Sequence, residues 1–395
     1  MQERLVIKNF GPIKSVDLNL GKMTILIGEQ ATGKSTVAKV LAVCRYFSYI
    51  VDRFENNDSY FSIGLENWGI FEYVKENSHI EYFSEHYDLI CKSKYGDFDP
   101  WIDKEFSKKP YFNLELTPKT SQFEELINEY NNIQKKQFNL NIPIYFYQER
   151  IASVLSNPFF IPTERGLQSI FSLGKNSIQN LSDSLFVQFA KLDQISKSFI
   201  GEEVKIDPLN IYFKNLNGDG KIRKENENEY YSLSKSASGY QSLIPIILVI
   251  KHYNNRKKSK TFITEEPEIN LFPKAQKDLV EFFVESMNNF NHQFLLPTHS
   301  PYILSSINNL MYAYKVATEF KAENEVTEVV NEKYWLNSKD VEVYLLSYGK
   351  STSLIDKEEG LINIDALDGV SEIINDTFDK LLAIEISKTK DIDND

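Results

Sequence analysis

Cysteine is scarce. Cys44 and Cys91 are the only two in 395 residues, which excludes a disulfide scaffold and a four-thiolate zinc site. A cytoplasmic location is the expectation from that usage. Long apolar runs are also missing. The longest, Leu243 to Ile250, falls far short of the roughly 20 residues a membrane span needs, so no membrane partner is expected. The opening Met1-Gln2-Glu3-Arg4 leads into no apolar stretch, and a secretory leader is not expected. No heptad pattern is sustained, which excludes a long coiled coil, and there is no internal repeat. Basic charge is in deficit: 44 Lys and Arg against 56 Asp and Glu leave a net charge of −12. That excludes a broad nucleic-acid-binding coat. One basic cluster, Lys251, Arg256, Lys257, Lys258 and Lys260, reads as a solvated loop between a helix and a strand.

What is present begins with Gly28-Glu29-Gln30-Ala31-Thr32-Gly33-Lys34-Ser35. This fits the phosphate-cradling pattern of two glycines five apart followed by Lys and Ser. Thr24 to Ile27 is a short β-type run leading into it. Behind it, Val37, Val40, Leu41, Cys44 and Phe47 recur at helical spacing. Glycines let backbone N–H groups turn inward on an anion, and the helix N-terminus adds its positive dipole end. In such a loop Gly28, Gln30, Ala31, Thr32, Gly33 and Thr36 surround the phosphates. Lys34 reaches the β- and γ-phosphates of ATP, and the Ser35 hydroxyl holds Mg²⁺.

Three more motifs follow at a distance. Ser238-Gly239-Tyr240-Gln241 opens an apolar helix, gathering a hydroxyl and free N–H groups at one helix start. Pro245 lies about two turns into that helix, where a kink is expected. Thr261-Phe262-Ile263-Thr264 ends in Glu265-Glu266-Pro267-Glu268. An apolar strand ending in two carboxylates puts the first, Glu265, beside a metal and the second, Glu266, where it can deprotonate an attacking water. His299, in Thr298-His299-Ser300-Pro301, ends another apolar run, one of only five histidines in the chain. Taken by itself, a histidine there is more often a cap or a core residue; in the company of the other motifs it suits the sensing of a γ-phosphate.

This ordered set resembles the ABC-type ATPase heads of the SMC, Rad50 and RecF group. In particular it is similar to the overcoming-lysogenization-defect-like ATPases of bacterial phage-defence systems, of the PARIS or Septu type. Ile7-Lys8-Asn9-Phe10-Gly11-Pro12-Ile13 and Phe160-Ile161-Pro162-Thr163-Glu164-Arg165 carry the likeness along with the motifs above. The resemblance implies an α/β fold: a head with a mixed or parallel sheet core around the phosphate loop, an N-terminal antiparallel β lobe, a helical insertion and a small α+β C-terminal extension. The corresponding division is residues 1–47 for the N-terminal half of the head, 48–205 for a lid and helical insertion, 206–312 for the C-terminal half, and 313–395 for the extension. It further implies a homo-oligomer in which two heads sandwich two ATP molecules. Lys34, Ser35, Glu265, Glu266 and His299 then act on one nucleotide, while Ser238 and Gly239 reach across from the second copy.

The chain departs from that pattern in places. Glu265 stands where Asp is common, and Phe272 where histidine is common. Gln148 and Gln168 are both candidates for the glutamine that usually follows the phosphate loop. Arg165 ends a predicted strand, placed either for a phosphate or partner, or for a structural salt bridge. Glu203-Val204-Lys205 has the ending of a nuclease motif without its partner aspartate, and Asp391 and Asp393 have no fold left to hold a metal. A guanine-reading Asn-Lys-x-Asp pattern is absent. A helix is expected on Val370, Ile373, Ile374, Phe378, Leu381 and Leu382. Two functions remain: a nucleotide-gated scaffold that holds or releases a separate effector, a nuclease or toxin; and a DNA clamp of the RecF or Rad50 kind, with nucleic acid as partner.

Overall fold

The computed structural model describes residues 3–46, 60–94, 111–137, 158–167, 185–199, 203–216, 219–256 and 259–363. The N-terminal part runs β1 (Glu3–Phe10), β2 (Ile13–Leu20), β3 (Met23–Ile27), α1 (Lys34–Arg45), α2 (Tyr60–Asn67), β4 (Val74–Phe83), β5 (Tyr87–Lys94), β6 (Tyr111–Pro118) and α3 (Ser121–Gln137). The middle adds β7 (Phe159–Ile161), α4 (Leu185–Ser198), β8 (Val204–Ile206), β9 (Ile211–Leu216), β10 (Asp219–Lys224), β11 (Tyr231–Ser232) and α5 (Ser238–Arg256). Then come β12 (Thr261–Thr264), α6 (Pro273–Phe290), β13 (Gln293–Thr298), α7 (Pro301–Glu319), α8 (Glu323–Val329), β14 (Val341–Ser347) and β15 (Lys350–Ser353).

Eleven strands form one mixed sheet in the order β6-β5-β4-β1-β2-β15-β14-β3-β13-β12-β7, and β8 to β11 form a second, smaller sheet. β3 runs parallel to β13 on one side and to β14 on the other. Paired on both edges and covered on both faces, it has no wet side, and all five residues are buried. That is why its sequence is an unbroken apolar run apart from Thr24. β2 alternates instead, with Val16, Leu18 and Leu20 buried while Ser15, Asp17 and Asn19 are exposed. This is the pattern of an antiparallel strand with one solvated face. The expected α/β architecture with a mixed sheet and an N-terminal antiparallel lobe is therefore what the chain adopts. The stretch expected as lid and insertion also contributes β4, β5 and β6, which extend that lobe antiparallel from β1.

The sheet separates two apolar cores. One packs Val37, Leu41 and Cys44 of α1 against β1, β2, β4 and β5. The other packs α5, α6 and α7 against β3, β12 and β13. Leu243 to Ile250, the longest apolar run, is buried throughout within α5. Among the described residues no helix is long and apolar enough to cross a membrane.

Local details refine the sequence reading. α3 is opened by Thr120, whose Oγ1 accepts from the Phe123 N–H at 3.3 Å. The second strand of the C-terminal hairpin is Lys350–Ser353. α1 ends at Arg45, so Phe47 falls outside the described residues. The same is true of Gln148, Gln168, Lys257, Lys258, the expected helix over 370–382, and Asp391 and Asp393. Of the basic cluster, Lys260 is buried and its ammonium lies 5.5 Å from the Phe159 ring centroid. It is a core cation–π partner rather than a solvated loop residue. Glu203 pairs with Arg223, and Lys205 with Glu225, across the small sheet. The nuclease-like triplet thus serves as surface ion pairs.

Candidate functional site

β3 delivers the chain to Gly28 at the C-terminal edge of its parallel neighbours, where loops of such sheets gather. The loop must pass tightly beneath the hairpin of β14 and β15. A Cβ on Gly28 would stand 2.2 Å from the Leu346 carbonyl oxygen, and Gly28 has φ +152°. No other residue fits there. Ala31 (φ +61°) and Gly33 (φ +99°) take left-handed conformations. These turn backbone N–H groups toward one side and form an anion-binding concavity at the start of α1.

Lys34 is 5% exposed. Its ammonium donates to the Gly28 and Glu29 carbonyls at 2.8 Å each and lies 3.4 Å from His299 Nδ1. Burial pulls its pKa down from 10.5 to about 8, with Glu266 and Glu268 opposing that shift.

The acidic turn is placed by the sheet. β12 is buried end to end, parallel to β13 and β7. Its direction continues one residue further, because the Glu265 N–H donates to the Ile161 carbonyl at 3.0 Å. Glu265 is 6% exposed, and its Oε1 has no hydrogen-bond partner. Burial raises its pKa, while a hydrogen bond from the Ser35 hydroxyl and the nearby Lys39 charge oppose the rise. A buried carboxylate oxygen left open beside a serine hydroxyl fits a divalent cation, since such a group is otherwise costly to bury. Among the described residues no three His, Cys, Asp or Glu side chains cluster to hold a metal by themselves. Mg²⁺ needs only one or two protein ligands when phosphate oxygens and water complete its shell.

Glu266 turns the other way. It has φ +41°, an uncommon value for a residue with a side chain. Its N–H donates to the Pro297 carbonyl at 2.8 Å, and its carboxylate stands 3.5 Å from His299 Nε2. His299 is held from behind, its own N–H donating to Glu268 Oε1 at 2.7 Å. Ser300 then caps α7, accepting from the N–H groups of Tyr302 and Ile303, and donates to Gln276 Oε1 at 2.6 Å.

Lys34, Ser35, Glu266 and His299 share a cleft of about 580 Å³. Gln30, Ala31, Gly33, Lys34, Ser35 and Thr36 form its floor, with Glu266 and His299 at one side. Its far wall is the β1–β2 turn at Gly11 and Pro12 with Glu72, Tyr73 and Lys75. That wall is tied together by the Gly11 N–H to the Tyr73 carbonyl at 2.8 Å and by Lys75 Nζ to the Gly11 carbonyl at 2.6 Å. Sequence reasoning missed this wall, because a tyrosine after a helix carries no pattern. Thr32 does not line the cleft; its hydroxyl donates to the Glu29 carbonyl at 2.9 Å.

Ser238 and Gly239 stand apart from this cleft, at the start of α5. Ser238 is exposed there. Arg165 departs from both sequence expectations. It is fully buried, and its guanidinium donates to the main-chain carbonyls of Pro162, Ser242, Glu265 and Glu266. It touches the acidic turn from behind rather than facing a phosphate or a carboxylate. Burial pulls its pKa down to about 10. Glu268 is a second functional position without an assigned role at the sequence level, although it lies inside the acidic motif.

If Lys34 meets bound phosphates, as the loop's pattern predicts, its depressed pKa is expected to make nucleotide affinity pH-dependent. Bound phosphates favour the charged lysine, so its pKa rises on binding. Below about 8 the lysine is charged in both states and affinity is flat. Above about 8 the free protein must take up a proton to bind, and affinity falls by up to about tenfold per pH unit. The same linkage makes folding stability rise between about 8 and the unfolded value of 10.5, because the unfolded chain then holds the extra proton. Titration calorimetry of ATP between pH 7 and pH 9.5, in buffers of different ionisation enthalpy, measures both the slope and the proton uptake. A flat profile would show that Lys34 stays charged throughout.

Comparison with known proteins gives the family. A family profile described as AAA ATPase domain matches residues 55–304. The match includes Ser238, Glu265, Glu266 and His299, and the phosphate loop lies upstream of it. No curated protein sequence matches the chain. Among solved structures, the chain is similar to the SMC head domain from Thermotoga maritima, with 12% identity, 89% of this chain and 98% of that one covered, and a TM-score of 0.41. It is also similar to an SmcHead bound to the C-winged helix domain of ScpA, at 11% identity, 90% and 98% coverage and a TM-score of 0.46. A third is the Smc head domain with an extended coiled coil bound to the C-terminal domain of ScpA derived from Pyrococcus furiosus, at 11% identity, 94% and 98% coverage and a TM-score of 0.41. The family match takes in well over half of the residues, and the chain belongs to the AAA ATPase domain family of nucleotide-binding ATPases.

Proposed function

We propose that the cleft binds Mg-ATP and hydrolyses it, and that two copies of the chain close on the nucleotide. The observation that carries this reading is the convergence of Lys34, Ser35, Glu266 and His299 on one cleft from three separate loops, with Glu265 hydrogen-bonded to Ser35. Lys34 leaves the carbonyls of Gly28 and Glu29 for the β- and γ-phosphates, and the concave backbone of residues 28–33 takes the remaining oxygens. Ser35 and Glu265 hold Mg²⁺, which supplies charge to offset the phosphates. Glu266, fixed at the cleft edge, accepts the proton of the attacking water. His299 contacts the γ-phosphate and reports its presence to α7 through the capped turn at Ser300.

Ser238 and Gly239 act on the nucleotide held by the other copy. Exposure at the start of a 19-residue helix suits that role. The whole then works as a nucleotide-gated scaffold in a bacterial antiphage complex, closing on ATP and opening on hydrolysis to hold or release a separate nuclease or toxin. The acidic net charge supports this reading over a DNA clamp. So does the pairing of cations on the small sheet, where Lys205, Arg223 and Lys224 each meet a glutamate.

Ser238→Arg tests the two-copy site. A bulky side chain at the helix start should block closure and leave each copy's own cleft intact. The expected result is unchanged ATP affinity, with ATPase activity down about a hundredfold or more and no ATP-induced dimer in light scattering. Mixed with Lys34→Ala, it should regain modest activity, since one composite site then has an intact loop facing an intact Ser238. Full activity of Ser238→Arg at dilute concentration would leave Ser238 as a plain helix start. Tight DNA binding with a steep salt dependence would favour the clamp.

A further inference from the structure

We propose that Arg165 is a positioning residue: it fixes the backbone of Glu266 and ties it mechanically to the helix that begins at Ser238. The proposal rests on the hydrolytic reading of the cleft and adds a route by which closure reaches the water-activating carboxylate.

The geometry is specific. Arg165 sits on the 3-10 turn Thr163–Leu167 that follows β7, with no solvent exposure. Its Nη2 donates to the Glu266 carbonyl at 2.7 Å and its Nη1 to the Glu265 carbonyl at 2.8 Å. Nη1 also donates to the Pro162 carbonyl at 3.0 Å, and Nε to the Ser242 carbonyl at 3.1 Å. The three nearby acids are turned to other tasks. Glu265 faces Ser35, Glu266 faces the cleft, and Glu268 holds the His299 backbone. A planar fork of donors can span three chain segments at once, which a lysine cannot do. A buried cation resting on carbonyls rather than carboxylates is an expensive arrangement. It is retained where the backbone it grips must not move.

That backbone is the left-handed turn at Glu266. The turn is pinned on one side by the Pro297 carbonyl and on the other by Arg165, with the Ile269 N–H sharing the Glu266 carbonyl at 3.0 Å. A second tie joins the same two elements. Asn270, itself left-handed, donates through Nδ2 to Ser242 Oγ at 3.1 Å. A Cβ on Gly239 would stand 2.8 Å from the Asn270 carbonyl oxygen, so the helix start seats directly on this loop. Ser242 lies one turn beyond Ser238. Force applied at Ser238 by a second copy therefore passes to Ser242, through Arg165, to the carbonyl of Glu266. The carboxylate is aimed only while that helix is seated.

The experiment uses the full chain, with Arg165→Lys, Arg165→Gln and Asn270→Gly; the last keeps the left-handed turn and removes the amide. ATP affinity, kcat and KM are measured for each. The expected result is affinity within about twofold of wild type for all three. Displacement of the base should cost about a hundredfold in kcat for Arg165→Gln, less for Arg165→Lys, and severalfold for Asn270→Gly. In a double-mutant cycle, Arg165→Lys should add nothing to the loss already caused by Glu266→Gln, because it acts through that residue. A merely structural role would lower affinity and kcat together, and its effect would multiply with Glu266→Gln. Wild-type kcat in Arg165→Lys, or multiplication with Glu266→Gln, overturns the proposal. If both Arg165 variants lose nucleotide binding altogether, Asn270→Gly decides, and a wild-type kcat there overturns it. Should Glu266→Gln hydrolyse ATP normally, the underlying reading falls and the proposal with it. Should Glu266→Gln be inactive while Arg165→Lys is fully active, only the proposal falls.

Discussion

Lys34→Ala is expected to weaken ATP binding by about a hundredfold or more. The ammonium is the principal positive charge on the cleft floor, and a charge-assisted contact in a partly buried site is worth up to about 3 kcal/mol. The loss has a second component. In the free protein Lys34 also closes the loop on itself through the carbonyls of Gly28 and Glu29. Alanine leaves those carbonyls without that donor, so the loop that cradles phosphate loosens before any ligand arrives. Calorimetry with ATP is the measurement, with thermal unfolding as the check that the sheet is intact. An unchanged dissociation constant would remove the phosphate-loop assignment, and with it the pH dependence set out above.

Glu266→Gln is expected to bind ATP normally and to lose about 10² to 10⁴ in turnover, the usual worth of a positioned general base. The amide keeps the size of the side chain and the backbone contacts of the turn, but it cannot take the water's proton. The unhydrolysed state should therefore accumulate, and an ATP-dependent dimer should persist in size-exclusion chromatography. Turnover near the wild-type rate would move the base elsewhere. Glu265 would not be the natural successor if it holds the cation, since its carboxylate is already committed to Ser35.

Much of this site could be read from the sequence because its key parts are local. A phosphate loop is eight consecutive residues, and a strand ending in two acids is a short run. Both are dictated by backbone geometry within one turn of the chain. His299 was legible for the same reason, as a polar residue closing the apolar run of β13. What was not legible depends on partners distant in the chain. Arg165 meets Glu265 and Glu266 across a hundred residues, and nothing in its own neighbourhood announces that its acceptors are carbonyls. Tyr73 reaches the cleft because β4 pairs with β1. The sequence pattern marks strands but not which strands adjoin. The C-terminal hairpin shows the same limit. Its alternation is readable, yet its place beside β3 follows from packing alone.

That placement ties the site to the order in which the chain is made. β3 is made well before its two neighbours, which come from residues 293–298 and 341–347. The Leu346 carbonyl that presses on Gly28 belongs to the second of them. Pairings so far apart in sequence form slowly, because loop closure comes before any contact rewards it. On the ribosome the phosphate loop is made long before β14, the strand that roofs it. A nascent chain stopped before β14 leaves one edge of β3 open and its loop uncovered. On the proposed reading, tight nucleotide binding waits for β14 and reports that the sheet has closed.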